Sequence, residues 1–361
     1  MDKISHKHLL FIICASGIVS LKTYPGIFMK NAGRDSWLVV AAAGLIIIIS
    51  CDYVMKVWSK KKCSSLKEVF EGALGKRVGN LFLFLFAIML FITMVECAAV
   101  ETSVIHTNLF IESPQWYILF FVSLPGLYII KKGKNAAIVV IMIAIVISII
   151  NGINLYFLTA PFKDYRRLFP IMENGITYGF ILAVIKVIGL YSSIFIAIAY
   201  LKEIKSTKNL RRCAFISSAF VVQMIIASTN GIITTFAIER GNLLVYPKLI
   251  QTQLISYFGF IASGEFYVIF QVLAGWFAKY IVTFFALINV LKELKAEKLY
   301  NMDFLPYSIT LVVYAVAYYE SENLIRLFNF LNFYSFLCLV GYLIMPLAIF
   351  SIFALRRKNK S

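Results

Sequence analysis

The chain has 361 residues, 61% hydrophobic and 16% aromatic, with a mean hydropathy of +0.84, which excludes an ordinary soluble domain, where about half the residues are apolar. Its formal net charge of +17 comes in short blocks between apolar segments, a placement that membrane topology requires and nucleic-acid binding does not. A hydrocarbon core ~30 Å thick leaves no backbone polar group unpaired. The expected fold is therefore an all-α polytopic membrane protein, a single integral membrane domain over 1–361.

Ten apolar windows are predicted to span, at 9–29, 36–55, 80–107, 115–130, 136–158, 178–201, 214–236, 265–291, 306–319 and 333–355. Lys3 and Lys7 precede the first, and Ala15, Ser16 and Gly17 offer small residues, as in a secretory leader. The apolar character resumes after Gly17 and runs to Met29, which suits a span better than a removable signal. This first window is poorly written for a plain helix, because it contains Gly17, Lys22 and Pro25.

Between the second and third windows, SLKEVFEGALGK carries an apolar stripe at Leu66, Val69, Phe70, Ala73 and Leu74, with Ser65 and Glu68 at capping-box spacing. It predicts a short helix, either lying on the cytoplasmic membrane face or packed beneath the bundle. Two apolar-rich outer loops, 159–177 and 239–264, are longer than hairpins need and predict structured lids or partner surfaces.

Charged side chains inside spans cost about 2.5 to 3.5 kcal/mol each at a helix centre on insertion scales, so each needs a partner. Glu96 in the third window, Lys186 in the sixth and Lys279 in the eighth are such residues. Glu96 with Lys186 is one possible pair and Glu96 with Lys279 another; either would serve a site or merely fasten helices. Lys22 and Glu101 lie nearer the outer surface and are expected to reach solvent. With the N-terminus inside, the cytoplasmic segments hold 24 Lys and Arg and the outer segments 8, so both termini are expected in the cytoplasm.

Enzyme readings fare poorly: His6, His8 and His106 fall on opposite sides of the membrane, with no metal-binding or nucleophile motif and no Gly-rich phosphate loop. No cofactor is expected. The six cysteines form no CxxC pair and read as apolar or cytoplasm-side thiols.

Gly17 in the first window has a counterpart in Gly189 of the sixth, each followed by small or hydroxyl residues. Matched interruptions in windows one and six are what a five-plus-five inverted repeat predicts, with a binding site at the midplane. The repeats would cover 1–158 and 178–355, followed by a basic cytoplasmic tail, 356–361.

Three stretches carry a resemblance to a known family: SGIVSLKTYPGIFMKNAGRDSWLVV, LYFLTAPFKDYRRLFPIMENG and YPKLIQTQLISYFGFIASGEFYVIFQVLAGWFAKYIVTFFAL. In order and spacing they resemble the B subunit of spore germinant receptors, the endospore germination permease family of the amino acid, polyamine and organocation transporter superfamily. Thr23 and Tyr24 depart from it, standing before Pro25 where Leu is usual. Gly264 and Glu265 are a second departure, from an Arg-Glu-like pair.

The resemblance implies a LeuT-like fold of ten transmembrane helices with helices 1 and 6 broken, in the spore inner membrane. It implies a small germinant, an amino acid first of all, and partnership with a receptor A subunit and a C lipoprotein subunit. The germinant would lie between helices 1 and 6, at Ser16, Gly17 and Ile18 on one side and Gly189, Leu190 and Tyr191 on the other, with Cys97 lining the pocket. Lys279 would stand where sodium-coupled relatives of the fold hold a cation. The alternative is a secondary amino acid transporter coupled to protons or sodium.

Overall fold

The structure, a computed structural model, describes residues 4–61, 63–255, 264–294 and 304–356. Among these residues the architecture is helical; the one extended contact is a bridge in which Ile4 N–H donates to Glu203 O and Ile4 O accepts from Lys205 N–H. It ties the start of the described chain to the end of the sixth segment.

The first segment comprises α1 (His6–Gly17), α2 (Val19–Thr23) and α3 (Gly26–Ala32). Pro25 precedes α3, and α2 ends at the residue before Tyr24, as a proline's steric demand on the preceding turn favours. The chain continues through α4 (Ser36–Lys60), α5 (Leu66–Leu74), α6 (Lys76–Asn108), α7 (Gln115–Lys132) and α8 (Lys134–Leu158). The sixth segment is α9 (Tyr178–Tyr191) running directly into a 3-10 helix, Ser192–Glu203. Then come α10 (Leu210–Gly241), α11 (Pro247–Gln253), α12 (Glu265–Glu293), α13 (Leu305–Ser321), α14 (Leu324–Cys338) and, beyond a π-helical stretch, α15 (Met345–Arg356).

Seven helical stretches among the described residues are long and apolar enough to cross a membrane: Gly26–Lys60, Lys76–Asn108, Lys134–Leu158, Tyr178–Glu203, Leu210–Gly241, Phe266–Glu293 and Leu324–Arg356. The windows at 9–29, 115–130 and 306–319 also fall on helices, α1 to α3, α7 and α13. The packing is that of a protein solvated by lipid. On α4, Val39, Val40, Ala43 and Ile47 face the core, while Leu45, Ile46 and Ile49 are exposed. Apolar exposure on that scale suits hydrocarbon, where the hydrophobic effect gives a surface leucine no reason to turn inward.

Of the two placements open for the amphipathic helix, the structure shows the second. Leu66, Val69, Phe70 and Ala73 of α5 are buried, and Gly72 lies against the Phe353 ring of α15. Ser65 caps it by accepting Glu68 N–H at 3.1 Å.

The loop 159–177 is docked on the bundle. Asp164 N–H donates to Thr234 O at 2.9 Å, and the Arg167 guanidinium takes the Thr234 and Thr235 carbonyls. Arg34 donates to Phe169 O at 2.8 Å, and Asp35 accepts Met172 N–H at 2.9 Å. In the loop 239–264, Tyr246 OH pairs with Ser103 Oγ at 2.9 Å and Gln251 donates to Gly231 O at 2.8 Å. Residues 256–263 of that loop, and the basic tail beyond Arg356, lie outside the described residues.

Candidate functional site

Lys279 lies midway along α12, and its side chain is 0% exposed, as is that of Glu96 on α6. Lys279 Nζ donates to Glu96 Oε2 and to Ser20 Oγ, each at 2.6 Å. Ser20 Oγ–H in turn donates to Glu96 Oε1 at 2.8 Å, and the Tyr24 hydroxyl donates to that same oxygen. Ser20 and Tyr24 are four residues apart, so the turn of α2 presents both to one neighbour.

Aromatic rings close the cluster. Trp276, three residues before Lys279 on the same face, stacks on Tyr24 with centroids 6.1 Å apart and donates Nε1–H to Thr23 Oγ1 at 3.1 Å. The ammonium lies 5.3 Å from the Trp276 ring centroid and 5.8 Å from that of Tyr334. Thr93, one turn from Glu96, meets the hydroxyls of Tyr334 at 2.9 Å and Tyr342 at 2.7 Å. The buried charges are thus paired, and the remaining polar capacity of the carboxylate is taken up by hydroxyls. A buried pair is tolerable under those conditions and costly without them.

Glu96 therefore pairs with Lys279. Lys186 instead donates to Asn31 Oδ1 at 3.1 Å and Ile27 O at 3.4 Å, fastening α9 to the end of α3. Lys22 and Glu101, expected to reach solvent, are 9% and 4% exposed. Lys22 borders an internal cavity, and Glu101 borders a separate, mostly apolar one near α7. Length counting places both near the outer surface but does not see the docked loops and neighbouring helices that cover them.

Of the residues expected to flank a ligand, Ser16 and Leu190 are linked through one hydroxyl. Ser193 Oγ donates to Ser16 O and to Leu190 O, both at 2.8 Å, joining the first and sixth segments. The interruption after Gly17 occupies only Ile18, which keeps helical angles (φ −83°, ψ −44°) and whose N–H donates to Cys14 O at 3.2 Å. After Tyr191 the sixth segment tightens to 3-10 for 12 residues, far beyond the three or four usual for that poorer hydrogen-bond geometry.

Close packing is what the two glycines provide here. A methyl group at Gly17 would lie 2.7 Å from Ile194 Cγ1, and one at Gly189 would lie 1.9 Å from the Ser335 carbonyl oxygen. Tyr191 is fully buried, and its hydroxyl has no hydrogen-bond partner among the described residues. Cys97 is buried on α6 beside Glu96.

Ser20, Thr23, Tyr24, Thr93, Trp276, Tyr334 and Tyr342 are cluster residues that sequence reasoning missed. Three had a legible signal: Ser20 and Tyr24 share a helical face at i, i+4, and Trp276 sits at i, i+3 from Lys279. The partners on α6, on α14 and in the π-helical stretch after it had none, because hydroxyl and aromatic residues are ordinary in apolar helices.

A helical bundle with a lipid-facing apolar surface and a charged pair at its core defines an integral membrane protein. The chain matches the spore germination protein family over residues 3–325, and it belongs to that family. It is 21% identical over 300 residues, 80% of either chain, to Spore germination protein XB of Bacillus anthracis. Its fold is similar to that of MhsT in complex with L-phenylalanine, with a TM-score of 0.69 at 13% identity, covering 96% of this chain and 89% of that one. It is similar also to a substrate-bound, outward-open Na+-coupled sialic acid symporter, with a TM-score of 0.65 at 12% identity, covering 94% and 79%. The fold is thus that of the LeuT-type transporters, and these relatives are permeases and transporters, not enzymes.

Proposed function

We propose that this chain is the germinant-sensing B subunit of a spore germination receptor, built on an amino acid permease fold. Membership of a spore germination family, in a chain folded like transporters of small solutes, carries the reading. In this reading all ten helical segments span, in two repeats over 1–158 and 178–355. Both termini are cytoplasmic, and the chain sits in the spore inner membrane with an A subunit and a C lipoprotein.

The germinant, an amino acid, binds where the first and sixth segments meet. Ser16, Gly17 and Ile18 face Gly189, Leu190 and Tyr191 there, with Cys97 alongside. The Ser193 link between Ser16 O and Leu190 O and the unpartnered Tyr191 hydroxyl support this position. Binding opens the α1–α2 junction, and it biases the equilibrium only by its differential affinity for the open and closed states. Lys279, held by Glu96 and Ser20, supplies a fixed positive charge in place of a bound cation, so the response needs no sodium.

Reconstitution separates this from the alternative of a transporter coupled to protons or sodium. The purified chain in proteoliposomes is expected to bind one or more members of a radiolabelled L-amino-acid panel without gradient-driven uptake. Saturable uptake that follows a proton or sodium gradient would favour the transporter.

A further inference from the structure

Away from the charged core, a cavity of about 500 Å³ opens between α2, α8, α10 and the two outer loops. Three of its lining residues are lysines, Lys22, Lys163 and Lys248, and among the described residues its lining contains no aspartate or glutamate. Lys22 is 9% exposed, and its ammonium makes no hydrogen bond to any described residue. Lys163 Nζ donates to Tyr156 O at 3.1 Å and lies over the Tyr156 ring, and Lys248 Nζ donates to Gln251 Oε1 at 2.6 Å. Each ammonium has three N–H donors, so most of those in the cavity are uncommitted.

Two neutral groups in the same wall are also unfinished: Ser228 Oγ and Asn230 Oδ1 are buried with no hydrogen-bond partner among the described residues. Orphaned polar atoms beside like charges are costly in a folded protein, and a bound group that satisfies both removes the cost. Burial and the neighbouring Lys163 charge lower the Lys248 ammonium from the ordinary 10.5 to about 7, so the cavity withholds the counter-charge this lysine needs.

We propose that this cavity is a second ligand site, distinct from the junction of the first and sixth segments, and that it takes a phosphate group. A phosphate monoester or inorganic phosphate carries about −1.5 to −2 at pH 7, which matches three converging lysines better than a single carboxylate does. Its unprotonated oxygens accept from the ammonium groups and from Ser228 Oγ–H, and a P–OH donates to Asn230 Oδ1. The group arrives either free from the outer aqueous side or as a lipid headgroup, since Ile153 and Phe157 at the rim of the cavity are exposed apolar residues of α8.

The test uses the full chain purified and reconstituted in phosphatidylcholine nanodiscs, with inorganic phosphate as the first probe and phosphatidylglycerol as the second. Saturable phosphate binding by calorimetry, weakened at least tenfold in both Lys163→Gln and Lys248→Gln, supports a free phosphate ligand. Retention of phosphatidylglycerol in native mass spectra, lost in the same variants, supports a headgroup. Folding is controlled by the unfolding midpoint without ligand: removing one of three repelling charges is expected to raise it in Lys248→Gln while abolishing the shift that phosphate induces. Binding of neither probe, or binding unchanged by both substitutions, overturns the proposal.

Discussion

Lys279 and Glu96 hold each other in a geometry that neither residue survives alone at low cost. Replacing one member of a buried pair leaves the other charge uncompensated, a loss of about 3 to 5 kcal/mol, whereas neutralising both is often nearly neutral. Lys279→Met is therefore predicted to lower the thermal unfolding midpoint markedly and the double variant Lys279→Met with Glu96→Gln to recover most of it. A double variant no better than the single would show that the pair is not the source of the loss. The glycines make a second contrast: Gly189→Ala meets backbone, the Ser335 carbonyl, while Gly17→Ala meets only the movable side chains of Ile194 and Val221. Overpacking costs typically about 1 to 3 kcal/mol, so Gly189→Ala is predicted to be the more destabilising of the two by urea or thermal titration; the reverse order would contradict the packing described. At this scale the sequence showed which residues were unusual, since Glu96, Lys186 and Lys279 stand out in apolar windows. It left their pairing open, because residue counting gives depth along a span but not which helix faces which.

The loop 159–177 is held to the bundle by arginine hydrogen bonds to backbone carbonyls. Arg167 binds two carbonyls near the outer end of α10, where Ala237 departs from helical angles (φ 57°, ψ 168°) and frees the preceding turn. Arg167→Met is predicted to release 159–177, raising its deuterium uptake in hydrogen exchange by about tenfold while α6 and α12 stay protected; uniform protection would show that the loop does not depend on this contact. Lys248 faces Lys22, Lys163, Tyr156 and Tyr165 across its cavity. Its value is lowered from 10.5 to about 7 by burial and by Lys163. The unfolded chain thus binds a proton there that the folded chain does not between those values, so the penalty is full below about pH 7 and vanishes as pH rises toward 10.5. A stability advantage of Lys248→Met over wild type is therefore predicted at neutral pH, shrinking to nothing near the upper limit; an advantage that does not change with pH would contradict it. Helix existence was legible along the chain from apolar windows, and α5 from its stripe and cap. The docking of α5 beneath the bundle was not legible, because an interfacial helix and a packed one carry the same periodicity.

Over the whole molecule, polarity and topology are linked by the distribution of lysine and arginine. The basic residues gathered at Lys56–Arg77 and Lys202–Arg212 are, by the positive-inside rule, expected on the cytoplasmic face. A cysteine introduced at Asn174 in a cysteine-free background is thus predicted to react with an impermeant maleimide from outside intact cells, and one at Ser206 only after permeabilisation. Equal labelling of both would overturn the orientation. The LeuT-type fold was accessible from the order of motifs rather than from any one of them, while the contacts between the first and sixth segments needed coordinates. Matched glycines mark where two helices approach closely as readily as where a helix opens.

The central claim is that a germinant binds between those two segments, and Tyr191 tests it with least disturbance. Its hydroxyl is buried and unpartnered, so Tyr191→Phe removes no internal hydrogen bond and is expected to leave the unfolding midpoint unchanged or slightly higher. If the hydroxyl meets the ligand, losing a bond worth about 1 kcal/mol shifts the midpoint of the dose–response by roughly threefold to tenfold. The measurement is dipicolinate release from spores carrying the variant at wild-type protein level, titrated with an L-amino-acid mixture. A rightward shift of that size is the predicted result, and a dose–response superimposable on wild type would contradict the account.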